Sequence, residues 1–451
     1  MTQRIKNMTE GSPLSLIVSF ALPLMVGNIF QQLYTVVDTM VVGKALGVDA
    51  LAALGATDWL YWMVLGVVQG VTQGFAILMA REFGAQRYAD LRRVTGISVS
   101  LAAICAVVFL IASQLAARPV LRLLQTPAEI MDQALLYLRI MFLGIPIIMA
   151  YNLLACTLRS LGDGRTPLSA MVLAALSNIA LDLLFVLVFR WGIAGAAAAT
   201  LIAQFLSCVF CFLRLRRIDF MALQQEHFRV ETRTAARLMS LGLPMAMQNM
   251  MIAIGGMIIQ SVVNGFGVAF LAGFTATNKL YGVLEIAATS YGYAMITYVG
   301  QNLGAEEYGR VKKGVTFGIL CSCGMAAVIG LLSWFFAPQL IGFFSETQEA
   351  INFGTRHMQT ICLFYSLLAF SHCMAGIMRG AGKATVPMFT MLACWCLLRT
   401  AYISVAIRQV NELTTVSWAY PITWTCSAVV FLIYFLAADW LHNFDRNEKS
   451  A

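Results

Sequence analysis

Asp38 stands deep inside an apolar run, Leu14–Gly43, that is long enough to cross a bilayer as a helix. A carboxylate at that depth is costly, and its presence is a functional hypothesis with a partner to be found. Gln31, Tyr34 and Asp38 are spaced by three and four, so they share one helical face. Asn178 and Asp182, four residues apart on a later apolar run, share another, and Thr200 lies on the run after that. Two carboxyls brought close in low dielectric resist double ionisation, so the pair tends to hold a proton or share a cation. The alternative, that both aspartates only cap or cross-link helices, stays open; against it, neutral Asn or Ser would join helices at less cost. Pro23 in the first run removes a backbone hydrogen bond and makes a bend point.

The second half of the sequence carries a different set. Glu285 and Arg399 are its deep charges, with Gln248 and Asn249 as polar neighbours near the start of its first span. Glu285 has two open readings, contact with a cationic substrate or an ion pair with Arg399, and Arg399 alone reads as a helix–helix anchor. His357 and His372 read as packed or interfacial groups. Cys208 and Cys211 form a CxxC on an apolar run with no second ligand pair, so packing is expected there and no metal centre.

The elements that must hold these residues are membrane spans. Of 451 residues 60% are hydrophobic and 12% charged, and the mean hydropathy is +0.77, far from the roughly 25% charged share of soluble domains. Apolar runs and their punctuation predict twelve helices, about 14–43, 51–80, 94–117, 134–157, 168–189 and 193–213, then 238–264, 270–299, 314–337, 354–377, 387–408 and 417–438. The basic residues collect on one side of this layout when both termini are cytoplasmic. The polar leader before the first span does not read as a cleavable signal, so that helix is expected to remain. The net charge of +8 follows from the same bias and calls for no nucleic-acid partner.

An internal repeat organises the chain. FGAQRYADLRRV at Phe83–Val94 answers to LGAEEYGRVKKG at Leu303–Gly314, and LRSLGDGRTPLSAM at Leu158–Met171 answers to MRGAGKATVPMFTM at Met378–Met391, both with an offset of 220. Pro23 and Pro244 open the two copies. Six helices per copy is an even number, so the copies cross the membrane in the same sense. The expected fold is therefore all-α and integral to the membrane: two six-helix bundles, 1–213 and 238–451, joined by a cytoplasmic linker at 214–237 and related by a pseudo-two-fold axis along the membrane normal. The counterpart of Asp182 is Tyr402, and that of Asp38 is Ile258 or Ile259, so the acidic chemistry is confined to the first copy. The linker reads as a solvated charge run.

These features resemble the multidrug and toxic compound extrusion family of cation-coupled exporters over essentially the whole chain. The resemblance is carried by Pro23 and Asp38 on the first helix, the paired GxxxY loops after helices 2 and 8, and the LR/MR-x-x-G-x-x-x-x-P turns before helices 5 and 11. Gln31, Tyr34, Asp38, Tyr137, Asn178, Asp182 and Thr200 are in register with the DNA-damage-inducible branch. In that branch the resemblance implies a first-half pocket that binds H+ or Na+, with bending of helix 1 linked to protonation. Other branches carry a glutamate where this chain has Ile252.

The expectation is a secondary antiporter in a bacterial plasma membrane, acting as a monomer without cofactor and exchanging H+ or Na+ for amphipathic or cationic small molecules. Asp38, Asp182, Asn178 and Thr200 would couple the ion, Gln31, Tyr34, Tyr137 and Asn152 would line the pocket, and Pro23 would be the bend. Glu285, Gln248, Asn249 and Arg399 remain as second-half substrate contacts. No GxxxxGK[ST] is present, so this chain is not expected to hydrolyse ATP, nor to be an enzyme. The alternative is a flippase for a lipid-linked precursor on the same two-bundle plan.

Overall fold

The computed structural model describes residues 5–264, 268–343, 347–409 and 413–441, and every regular element among them is helical. The bilayer explains this, because a span with no water to bond must close its backbone hydrogen bonds internally. The first six spans are α1 (Pro13–Leu46), α2 (Val48–Gly84), α3 (Tyr88–Leu123), the pair α4 (Ala128–Leu143) and α5 (Ile145–Ser160), α6 (Arg165–Asp182) continuing into a π-helical segment π1 (Leu183–Val188), and α7 (Gly192–Leu215). The second six are α8 (Thr232–Asn264), α9 (Val268–Gly304), α10 (Tyr308–Phe335), the pair α12 (Gln348–Cys362) and α13 (Tyr365–Gly380), a composite of α14 (Thr385–Met391), π2 (Leu392–Leu398) and α15 (Arg399–Gln409), and α16 (Leu413–Ala437). A short α11 (Ala337–Gly342) follows α10. Among the described residues nine helical stretches are long and apolar enough to span a membrane, and the bent pairs make two more. α9, 37 residues long, takes the twelfth place.

Two spans expected as single helices are broken. α4 and α5 meet at 47° around Gly144, and α12 and α13 at 53° around Phe364. Pro146, just inside α5, has no N–H to offer the preceding turn, which accounts for the first break. The second lies at the repeat-equivalent residue without a proline.

The repeat is written in the backbone as well as in the sequence. Gln86 and Glu306, 220 residues apart, both adopt left-handed φ (57° and 59°), as do Gly162 and Gly382 (80° and 76°). At Gly162 a side chain would also collide with the carbonyl oxygen of Lys6, so both conformation and space demand glycine there. The buried Asp163 beside it starts α6: its carboxylate accepts from the N–H groups of Arg165 (3.1 Å) and Thr166 (2.9 Å) and from the Thr166 hydroxyl (2.6 Å). Arg214, 3.7 Å away, neutralises it.

Two compact units are distinguished: Met1–Asn7 with Leu22–Asn249, and Met8–Ala21 with Met250–Ala451. In the first, α2 and α8 approach so closely at Gly70 and Gly74 that a Cβ on either would meet the backbone of α8. α3 turns Ala102, Ala106, Ser113 and Ala117 inward and Ile104, Val108, Ile111 and Leu115 outward. Small residues against helices and large apolar ones outside are the pattern of a lipid-facing span. Most of the linker is exposed, Arg216, Arg217, Arg229 and Arg233 included, and a few apolar side chains tie it down. Ile218 and Met221 are buried, Phe220 stacks near Phe83 and Tyr88 (5.9 and 4.9 Å), and Ser100 donates to the Phe228 carbonyl (2.8 Å). Its alternating arginines are interleaved with apolar residues, and those seat it on α2 and α3.

Candidate functional site

In the first unit α1 and α6 run side by side in the same direction. Gly27, one turn past Pro23, lies against Leu168 and Met171 of α6, and eleven residues further along each helix Asp38 faces Asp182. α1 passes through Pro23 without interruption of its helical run. Asp182 is the last residue of α6, immediately before π1. A π-segment widens one turn and re-aims the side chains around it, and such segments recur at functional sites.

Asp38 and Asp182 are both buried, and their carboxyl groups lie within hydrogen-bonding reach of each other. With both ionised, Asp38 Oδ1 and the two Asp182 oxygens have no hydrogen-bond donor. Asn178, one turn before Asp182, donates through Nδ2 to the Thr200 hydroxyl of α7 (3.3 Å), which leaves Asn178 Oδ1 without a partner too. The result is a buried cluster of oxygen acceptors that no donor among the described residues satisfies. A proton shared by the two carboxyls satisfies the pair, and a hard monovalent cation suits the same oxygen donors. Among the described residues no group of three or more His, Cys, Asp or Glu is arranged to hold a metal ion.

The other expected pocket residues are placed as follows. Gln31 is half-buried on α1 and its carbonyl accepts from the Thr35 hydroxyl (3.0 Å); the Tyr34 side chain lies outside the described residues. Tyr137 on α4 is buried. Asn152 on α5 is buried and spends its amide N–H on the Ile148 carbonyl of its own helix (2.8 Å). Sequence reasoning missed Asp58 on α2, an exposed carboxylate close enough to Asp38 to act on its charge. Its signal was an acidic residue between Thr57 and the apolar run that follows.

The second-half set divides between the units. Gln248 and Asn249 belong to the first, where Gln248 is buried and Asn249 donates to the Gly66 carbonyl of α2 (2.8 Å). Glu285 on α9 and Arg399 at the start of α15 belong to the second. Within 4.0 Å they form no ion pair: Glu285 Oε1 lies 3.8 Å from His372 Nε2, and Arg399 donates through Nε (3.2 Å) and Nη2 (2.7 Å) to the Thr423 hydroxyl of α16. His357 is packed against Phe274 and bonds the Ser417 hydroxyl through Nδ1 (2.7 Å).

A twelve-span helical fold of two bundles, with acidic oxygens gathered at depth in one of them, defines a multi-pass membrane transporter. The MatE family model matches residues 23–184 and again 244–403, beginning at Pro23 and Pro244, and the chain belongs to that family of multidrug efflux transporters. It is similar to the probable multidrug resistance protein YpnP of Bacillus subtilis, 30% identical over 393 residues that cover 86% of this chain and 87% of that one. The probable multidrug resistance protein NorM of Thermotoga maritima is 24% identical, covering 94% and 92%. The outward-facing structure of a multidrug resistance MATE family transporter of the MOP superfamily superposes with a TM-score of 0.91 at 22% identity, covering 98% of this chain and 99% of that one. That last likeness concerns the fold.

Proposed function

We propose that this chain is a secondary antiporter of the bacterial inner membrane, with both termini cytoplasmic, that exports amphipathic or cationic drugs in exchange for inward H+ or Na+. The names of its relatives supply the substrate class, and the ion coupling rests on one observation: the facing, buried carboxyls of Asp38 and Asp182, whose oxygens lack donors.

Two unit charges about 4 Å apart interact by about 4 kcal/mol at an effective dielectric of about 20. An ion entering from outside cancels that repulsion and lets α1 close on α6. The shift is absorbed near Pro23, where the helix lacks a backbone bond, and it narrows the first-unit pocket against bound drug. Release of the ion inward restores the repulsion and reopens the pocket. Each charge carried down 100 mV supplies about 2.3 kcal/mol, enough to sustain a gradient of tens-fold.

Asp38→Asn removes the titratable group while keeping its size. In reconstituted vesicles it is expected to abolish drug efflux driven by an imposed proton or Na+ gradient, and unchanged efflux would sink the coupling assignment. The same vesicles, run with ΔpH alone and then with a Na+ gradient alone, assign the ion. A lipid-precursor flippase calls for a broad basic cavity. Deep cations are few here: Arg399 is mid-span, whereas Arg81 and Arg379 close the last turns of α2 and α13.

A further inference from the structure

α3 carries no charged residue between Arg93 and Arg118, and one stripe along it, Ile104, Val107, Ile111 and Leu115, is exposed. Continued toward Arg93 in the same steps of three and four, that stripe passes through Ser100 and Gly96. The linker lies across this continuation. A Cβ on Gly96 would meet the His227 carbonyl, Ser100 donates to the Phe228 carbonyl (2.8 Å), and Arg93 pairs with Glu231 (3.4 Å). From Ser100 to Arg118 the helix rises about 27 Å at about 1.5 Å per residue, against about 30 Å for the hydrocarbon of a bilayer. The crossing therefore sits where hydrocarbon gives way to headgroups.

At that level the linker alternates apolar and cationic groups. Phe228 (38%) and Val230 (48%) are exposed, as are Arg229 between them and Arg233 beyond. Among the described residues Arg92, Arg229 and Arg233 make no ion pair. Glu231 is engaged by Arg93 and the Thr234 hydroxyl (2.8 Å), and the exposed Asp219 and Glu226 pair with none of the three. Arg92 Nε is buried without an acceptor. The 3-10 turn Gln225–Phe228 is closed by the Gln224 N–H donating to His227 Nδ1 (2.8 Å), so an ordered backbone presents these groups. Water alone suits exposed arginines but not Phe228 and Val230 beside them. A phospholipid suits both, because its phosphodiester oxygens accept from guanidinium groups and its acyl chains cover the apolar side chains.

We propose that the linker and the first turns of α3 form a binding site for the headgroup of an anionic phospholipid. Arg92, Arg229 and Arg233 are its phosphate ligands, and Phe228 and Val230 meet the acyl chains beside the Ile104 stripe. Such binding needs no ion gradient, so it holds or fails independently of the antiporter reading. Lys312 and Lys313 supply a control, since they are exposed, stand 220 residues after Arg92 and Arg93, and belong to the second unit.

The purified full chain, delipidated in mild detergent, is offered equal amounts of palmitoyl-oleoyl phosphatidylglycerol and phosphatidylcholine, and retained lipid is read by native mass spectrometry. Phosphatidylglycerol is expected to be retained roughly five-fold over phosphatidylcholine. Arg229→Gln combined with Arg233→Gln should bring the two lipids level, and lysine at both positions should keep part of the preference. Both side chains are exposed, so these variants are expected to elute as the native chain does. Lys312→Gln combined with Lys313→Gln should leave the preference unchanged. Equal retention by the native chain, a preference that survives the two glutamines of the linker, or an equal loss in the second-unit variant overturns the proposal. Glycerol 3-phosphate in large excess should not displace the lipid; displacement would reveal a site for free phosphate and overturn the lipid assignment.

Discussion

At the scale of single residues, the contrast between Asp38 and Arg399 is one of compensation. Both are charged and buried, but Asp38 faces a second carboxyl, whereas Arg399 faces a hydroxyl and two rings. The first arrangement needs a proton or a cation to become neutral, whereas the second is met by Thr423, the two rings and the nearby Glu285. Asp58 adds a third carboxylate near the pair, on an exposed residue of α2, and its charge adds attraction for an incoming cation. Removing it as Asp58→Asn is expected to raise the ion concentration for half-maximal transport by roughly two- to five-fold, the yield of about 0.5–1 kcal/mol of partly solvated electrostatics. The effect should shrink as inert salt is added, since an exposed charge is screened within about 8 Å at physiological ionic strength. A salt-independent effect would place Asp58 inside the ion site itself. The aspartates at depth and Asn178 were legible in the sequence because polar groups are rare there; what Asp58 lacked was a polar partner at helical spacing, and only the packing of α2 shows that it neighbours Asp38.

At the scale of elements, the polar clusters sit where regular helix is interrupted. Asp182 immediately precedes π1 and Arg399 immediately follows π2. Neither π-segment was visible beforehand, since one extra residue in an apolar run barely changes its periodicity. The turn before α6 was visible as a motif, and its chemistry is a cap: three donors converge on the Asp163 carboxylate, with Arg214 behind it. Asp163→Ala is expected to cost about 0.5–2 kcal/mol for the lost cap, and more for the cation left unpaired, read as a lower Tm of the detergent-solubilised chain. Because Asp163 lies nineteen residues from Asp182 on the same span, the ion concentration at half-maximal transport should stay unchanged. A shift in ion affinity without loss of Tm would contradict the cap assignment.

At the scale of the whole molecule, the compact units do not divide the chain at its linker. The first unit takes Leu22–Asn249 and the second takes Met8–Ala21 with Met250–Ala451, so each needs a piece from the other side of a cut in the linker. Fragments 1–230 and 231–451 expressed alone are expected to aggregate or be degraded, and to copurify when expressed together. Either fragment behaving as a monodisperse species with the Tm of the full chain would count against this. What the sequence determined by itself was the number and type of elements, the repeat, and the presence of an acidic pair in the first copy. Hydropathy over twenty residues, a fixed offset and the cost of charge in hydrocarbon are all properties of the chain read in one dimension. Which charges meet was decided only in three dimensions. Asp38 reaches Asp182 because α1 and α6 run in step, and Arg399 meets Thr423 and Tyr420 at bonding range in place of Glu285 because a few ångströms of helix packing outweigh complementary sign.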